Sequence, residues 1–278
     1  MKDKGKPAVI IPLDGSRTST VALGAAQALT GIMGGILHIV HVTDAPLPEE
    51  DLPGHLKVEE VFDHFHHQLS GDIVCSILEF ALEIDARMVV MSSHGQTYDD
   101  RDLVGSKTQG LLRHATIPIM VIRPGMENLP GASWKPRKIL VPLDGAPLPA
   151  AVVNEVFDLA EILGAEIDVL HIAVSGKEPP SEAGTYTSPR YLDHPHYDWP
   201  AWADEFTKRL FAHRLPEVGL RLFHEPGDPV EVTLRFALEN DEDIIALSWR
   251  GRMGKKHAAT VQGILRSTER PILLIRKL

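Results

Sequence analysis

A stretch near the start of the chain returns in its second half. Ala8–Ser16 reads AVIIPLDGS and Lys138–Ala146 reads KILVPLDGA, so that Asp144 stands 130 residues after Asp14. The same offset of 130 sets the run Ile39–Val42 on Val169–Ile172. Gly71-Asp72 finds a counterpart in Gly227-Asp228, 156 residues on, and Gln109–Arg113 in Gln262–Arg266, 153 residues on. The closing runs Pro118–Arg123 and Pro271–Arg276 keep that last offset of 153. Start, middle and end recur in order with insertions between them, which is the mark of a duplicated folding unit. Two tandem domains are therefore expected, residues 1–125 and 138–278. The segment 126–137, rich in Pro and Gly and without apolar period, is read as the linker between them.

Each half alternates two kinds of apolar pattern. Val9–Leu13, Ile36–Val42, Met88–Ser92 and Ile117–Ile122 are continuous apolar runs, as expected of strands covered on both faces. Between them Ile73, Ile77, Phe80, Ala81 and Ile84 recur at helical spacing, as do Val152, Val156, Ala160 and Leu163. Strands alternating with helices predict an α/β fold, here two doubly wound parallel-sheet sandwiches in tandem. His64–Leu69 is read as a strand, because Gly71-Asp72 then matches Gly227-Asp228 after the strand-like Leu220–His224; the first half is left one helix short. The added length of the second half falls in 175–201, a run of Pro, Tyr, Trp and His read as a long loop.

Composition narrows the function classes. Of 28 basic and 38 acidic residues, 10 and 17 lie in 1–130 and the other 18 and 21 in 131–278, for a net charge of -10. Neither half has the basic excess of a nucleic-acid surface. No apolar run is long enough to span a bilayer, and the run after Lys2, Lys4 and Lys6 is broken by Pro12, so no membrane or secretory segment is expected. The single Cys75 has no partner for a disulfide, and the chain is expected in the reducing cytoplasm. Cys75 itself is expected as buried filler in its apolar-periodic stretch.

In an open parallel sheet, ligands bind beyond the carboxyl ends of the strands, where strand order reverses. Asp14-Gly15-Ser16 follows the first strand, and Ser92-Ser93-His94-Gly95 follows Met88–Met91. Downstream, Gly105-Ser106-Lys107-Thr108 opens the last helix of the half. Glycines let the backbone approach a ligand, helix-opening amides attract phosphate, and Ser106 and Thr108 add hydroxyls. Asp-Gly after a strand is also an ordinary turn, and Gly-Ser before a helix an ordinary cap.

These residues carry a family resemblance. The chain resembles a tandem universal stress protein over nearly all its length. ATP-binding members of that family show Gly, two residues, Gly, nine residues, then Gly-Ser or Gly-Thr. Here Gly95 and Gly105-Ser106 keep the spacing, while Ser92 replaces the first glycine. The resemblance implies an adenine nucleotide, ATP (with Mg as companion) or AMP, in the first half. Asp14 would contact adenine or ribose, the backbone of Val42 the base, and Gly95 to Tyr98 with Ser106 to Thr108 the phosphates; Pro12 also matches a contact position. It implies too that Ile119–Ile122 and Ile272–Ile275 pair, joining the halves as an intramolecular pseudo-dimer, with further dimerisation left open.

The second half departs from the pattern. Asp144 and Gly251 persist, but Ala258-Ala259 stand where Gly105-Ser106 stood, and the preceding loop is three residues shorter and carries Lys255 and Lys256. That half is read as serving structure or an unidentified protein partner. His55, His64, His66 and His67 cluster with Asp63, yet no closed zinc spacing is present and they are read as surface histidines, with no metal expected. No Gly-x-Ser-x-Gly elbow or Walker lysine occurs, and nothing demands hydrolysis. A nucleotide-binding regulator, a nucleotide-free scaffold or sensor, and a slow ATP hydrolase remain the three readings.

Overall fold

The computed structural model describes residues 5–58, 64–95, 105–126, 131–143, 150–173, 219–249 and 256–276. The chain divides into two compact units, Met1–Lys135 with Trp249–Arg276, and Pro136–Ser248. The long loop 175–201, Asp144 and the basic loop through Lys255 lie outside the described residues.

The first unit opens with β1 (Ala8–Pro12), a 3₁₀ turn (Ser19–Ala22), α1 (Leu23–Ile32) and β2 (Ile36–Val42). It continues with α2 (Leu52–Leu56), β3 (His64–Leu69), α3 (Ile73–Glu83) and β4 (Ala86–Ser92). Then come α4 (Ser106–His114) and β5 (Ile119–Ile122). The second unit begins with β6 (Lys138–Leu143), α5 (Ala150–Leu163) and β7 (Glu166–Ala173). It continues with β8 (Leu220–Pro226), α6 (Pro229–Glu239) and β9 (Ile244–Trp249). The chain closes with α7 (Lys256–Ser267) and β10 (Ile272–Arg276).

In the first unit the strands run β3-β2-β1-β4-β5-β10, and in the second β9-β6-β7-β8. All of these pairings are parallel except β5 with β10. The apolar runs form the core as their continuity predicts: Val9, Ile10, Ile11, Met88, Val89 and Val90 are all fully or almost fully buried. His64–Leu69 is indeed a strand, and the connection leading to it contains the five-residue α2.

The Gly-Asp pairs that mark the repeat are helix starts. Asp72 accepts from the Cys75 amide at 2.9 Å, and Asp228 from the Val230 and Glu231 amides at 2.9 and 3.1 Å. Each is an N-cap contributing about 1 kcal/mol, and Gly71 and Gly227 before them have positive φ. Cys75 corrects the expectation of a buried residue: it is exposed. It sits two positions past Ile73 and two before Ile77, off the stripe that α3 turns to the core. Asp72 holds its thiol above the ordinary range, chiefly through their hydrogen bond and then through charge.

The pairing expected for the two closing runs is present within the first unit, antiparallel, with Ile272 opposite Val121 and Leu274 opposite Ile119. Three further contacts bind the end of the chain into that unit. Trp249 Nε1 donates to the Leu112 carbonyl at 2.7 Å. Arg123 donates to the Thr268 carbonyl at 3.1 Å, and its repeat counterpart Arg276 to the His114 carbonyl at 2.9 Å. The two arginines thus satisfy carbonyls at the C-terminal ends of α7 and α4, where cations are favoured.

Candidate functional site

Strand order in the first unit reverses between β1 and β4. Beyond the carboxyl ends of these strands lies a cleft enclosing about 570 Å³, part of it open to solvent. Pro12, Asp14, Val42, Ser92, His94, Gly95, Lys107 and Thr108 line it, so eight of the twelve residues singled out from the sequence converge on one place. The other four are not in its walls. Gly15 and Ser16 follow Asp14 directly, and Gly105 and Ser106 directly precede Lys107.

Hydroxyls brace the turn after β1, from which Asp14 and Ser19 line the cleft. The Ser16 amide donates to Asp14 Oδ1 at 3.0 Å, and the Ser19 amide donates to Ser16 Oγ at 3.0 Å. Ser16 Oγ and Thr18 Oγ1 are 3.0 Å apart, and Thr18 Oγ1 donates to the Gly95 carbonyl at 2.7 Å. His41, buried on β2, donates from Nδ1 to the Leu13 carbonyl at 2.8 Å. That bond sets the imidazole tautomer and fixes the exit of β1. His55 packs against His41 with ring centroids 5.2 Å apart. It also crowds Gly15, whose φ of +78° is left-handed, so a Cβ there would stand 2.8 Å from His55 Nε2.

The opposite wall follows β4. Ser92, Ser93 and His94 are buried. Ser92 Oγ, at the position where the family pattern has glycine, accepts from the His94 amide at 3.3 Å. Ser93 Oγ and His94 Nδ1 are 2.9 Å apart. The Gly105 amide donates to the Ser93 carbonyl at 2.9 Å, which holds the start of α4 against the end of β4. Gly105 is the N-cap of α4 and supplies no side-chain acceptor. The first amides of α4 carry the partial positive charge of a helix start. Lys107 adds a full charge, and Thr108 Oγ1 donates to the Ser92 carbonyl at 3.3 Å.

Seven lining residues escaped the sequence reading: Leu13, Ser19, Val40, Ile73, Ile77, Met91 and Leu111. The six apolar ones form a floor from the end of β1 (Leu13) and from β2, α3, β4 and α4. Their signal is the same periodicity that marks any core face, so nothing sets them apart as ligand-facing. Ser19 could have been found from the run of hydroxyls after Asp14-Gly15.

The histidine cluster does not assemble as one group. His55 lies beside Gly15, whereas His64, His66 and His67 lie on β3. These three are half-buried rather than surface residues. His38 Nδ1 and His67 Nε2 are 3.0 Å apart, as are His64 Nε2 and His66 Nε2. Among the described residues no group of three or more His, Cys, Asp or Glu is set to hold a metal ion.

The first unit is thus a doubly wound α/β unit with a polar-rimmed, apolar-floored cleft at its switch point, the place where open parallel sheets take ligands. The chain belongs to the universal stress protein family, whose model matches residues 55–123 and 135–276. Universal stress protein Rv2005c of Mycobacterium tuberculosis is 26% identical over 200 residues, 61% of this chain and 65% of the relative. The chain thus spans under two thirds of that relative's length. A putative universal stress protein from Pseudomonas aeruginosa has the same fold, with a TM-score of 0.66 at 15% identity, covering 98% of this chain and 94% of that one. A universal stress protein from Archaeoglobus fulgidus gives 0.62 at 16% identity, with 98% and 97% covered. No helix among the described residues is long and apolar enough to cross a membrane.

Proposed function

We propose that the first unit binds one adenine nucleotide, ATP or AMP, and that occupancy of the cleft regulates contacts with a protein partner in the cytoplasm. The observation that carries this reading is convergence. A carboxylate, Gly95, a helix start with a lysine and an apolar floor meet at one switch point; of the family's nucleotide pattern, Gly95 lines the cleft and Gly105-Ser106 directly precede Lys107, which lines it too. The cradle fits the ligand class, since Gly95 has no space for a side chain on the Asp14 side.

Each part has a chemical role to play. Val40, Val42, Ile73 and Ile77 offer apolar surface to a planar base, and the Val42 backbone offers it hydrogen bonds. Asp14 is an acceptor for ribose hydroxyls. Gly95, the first amides of α4, Lys107 and Thr108 favour phosphate oxygens through backbone donors, helix charge and a cation. Mg, when it accompanies ATP, would neutralise phosphate charge; the chain's own contribution is binding and orientation. Occupancy would tighten the loops that Thr18 and Gly95 already join, and those loops are the surface a partner would read.

Mass spectrometry of the small molecules released when the purified protein is denatured tests this reading. Release of AMP or ATP at near one per chain supports it. A protein that releases none and binds none on addition would refute it.

A further inference from the structure

We propose that His64 and His66 form a two-imidazole chelate for a divalent transition ion of tetragonal preference, Cu(II) ahead of Ni(II), on the outermost strand of the first unit. A His-x-His pair on a strand projects both rings to one side of the sheet. Here the rings meet: Nε2 of His64 and Nε2 of His66 are 3.0 Å apart, with the ring planes 80° to one another and centroids 4.3 Å apart. That separation is the length of a hydrogen bond between the two rings, and with metal–nitrogen bonds of about 2.0–2.1 Å one ion can take its place with both nitrogens as neighbouring ligands. Imidazole pairs suit the tetragonal geometry of Cu(II) and Ni(II), and Cu(II) heads the affinity order of divalent ions on nitrogen ligands.

The pair is also prepared for binding. Both residues are half-buried, which restricts their rotamers while leaving a path to solvent. His66 is held below the ordinary imidazole range, first by burial and then by the neighbouring His64 and His67. In the metal-free pair one ring lends its Nε2 proton to the other. To bind, that ring carries the proton on Nδ1 instead, and both Nε2 atoms become ligands with no change in net charge. Two imidazoles supply two positions, and water takes the rest.

Two other pairs show similar separations and serve as controls. His38 and His67 are wedged against Phe80, whose ring is 4.5 Å from that of His67. His171 and His224, with Nδ1 atoms 2.9 Å apart in the second unit, include a buried His171.

The test is calorimetric titration of copper(II) and nickel(II) chlorides into the full chain without an affinity tag, with electron paramagnetic resonance of the copper form. The expected result is one tight copper per chain with nitrogen coordination and weaker nickel binding. Each of His64→Gln and His66→Gln should weaken copper by more than the about tenfold that loss of an outer-shell partner costs. His38→Gln and His171→Gln should leave it unchanged, with circular dichroism confirming that all four variants are folded. Unchanged copper affinity in both His64→Gln and His66→Gln, or equal loss in His38→Gln or His171→Gln, would overturn the proposal. So would zinc binding more tightly than copper.

Discussion

Gly95 stands so close to Asp14 that a Cβ built on the glycine would lie 2.5 Å from Asp14 Oδ2. The loops after β4 and β1 meet at this point, and a side chain at Gly95 must turn the carboxylate aside. Gly95→Ala is therefore expected to lower nucleotide affinity about tenfold or more, equivalent to about 1.4 kcal/mol. The melting temperature should change little, because the displaced group is only half-buried. Gly105→Ala is the contrast. Its φ is -55° and the nearest neighbour of a Cβ there is Ser93 O at an ordinary 3.4 Å, so affinity should stay within about twofold. Calorimetry on both variants with ATP and AMP checks the pair of expectations.

Thr18 ties the same two loops through its 2.7 Å bond to the Gly95 carbonyl. Thr18→Val keeps the shape and removes the donor, at a cost of about 1 kcal/mol in a partly buried setting. Nucleotide affinity should fall a few fold, and protection of loop amides against hydrogen exchange should fall with it. Unaltered exchange at Gly95 in Thr18→Val would contradict the tether.

Lys107 is exposed at the helix start and lines the cleft. Its charge acts on phosphates over distance and is screened by salt. Lys107→Ala should therefore weaken ATP more than AMP, and the difference should shrink as salt is raised. Equal losses for both nucleotides would place the lysine away from the outer phosphates.

The repeat, the alternation of strands with helices and the strand-end positions of Asp14, Ser92 and Gly95 were legible because each depends on local pattern. Continuous apolar runs mark buried parallel strands, Gly-Asp marks helix starts, and Asp14, Ser92 and Gly95 fall at strand ends by count alone. What was not legible depends on packing. Cys75 shares an apolar stretch with Ile73 and Ile77, but a helix turns it outward. The cleft floor, Ile77 and Leu111 among others, has no composition to separate it from core. Trp249 donating to Leu112 joins residues 137 apart in sequence, beyond any periodicity argument.

A buried acid pair in the second unit gives a pH prediction. Asp168 and Glu242 are fully buried. Arg221 holds Asp168 through two bonds of 2.8 and 2.6 Å. Glu242 is pushed up to about 9, first by burial and then by its hydrogen bond to Asp168 and that residue's charge, with Lys138 and Arg221 acting the other way. It is thus protonated in the folded protein at pH 7 and ionised in the unfolded chain. Stability from this group is full below its ordinary value of 4.5 and declines as pH rises towards 9, with a slope approaching about 1.4 kcal/mol per pH unit. Glu242→Gln should flatten that decline and raise stability at pH 8 more than at pH 5. Denaturant unfolding across pH 5 to 9 reads the difference directly; parallel curves for the two proteins would show that Glu242 is not held protonated.

One nucleotide is expected per chain, in the cleft between the ends of β1 and β4. Titration calorimetry of ATP and AMP into the stripped full chain, run on the parent and on Gly95→Ala, measures it most directly. The predicted result is a stoichiometry near one in the parent and a loss of about tenfold or more in the variant. A stoichiometry near two, or identical affinity in both proteins, would contradict it.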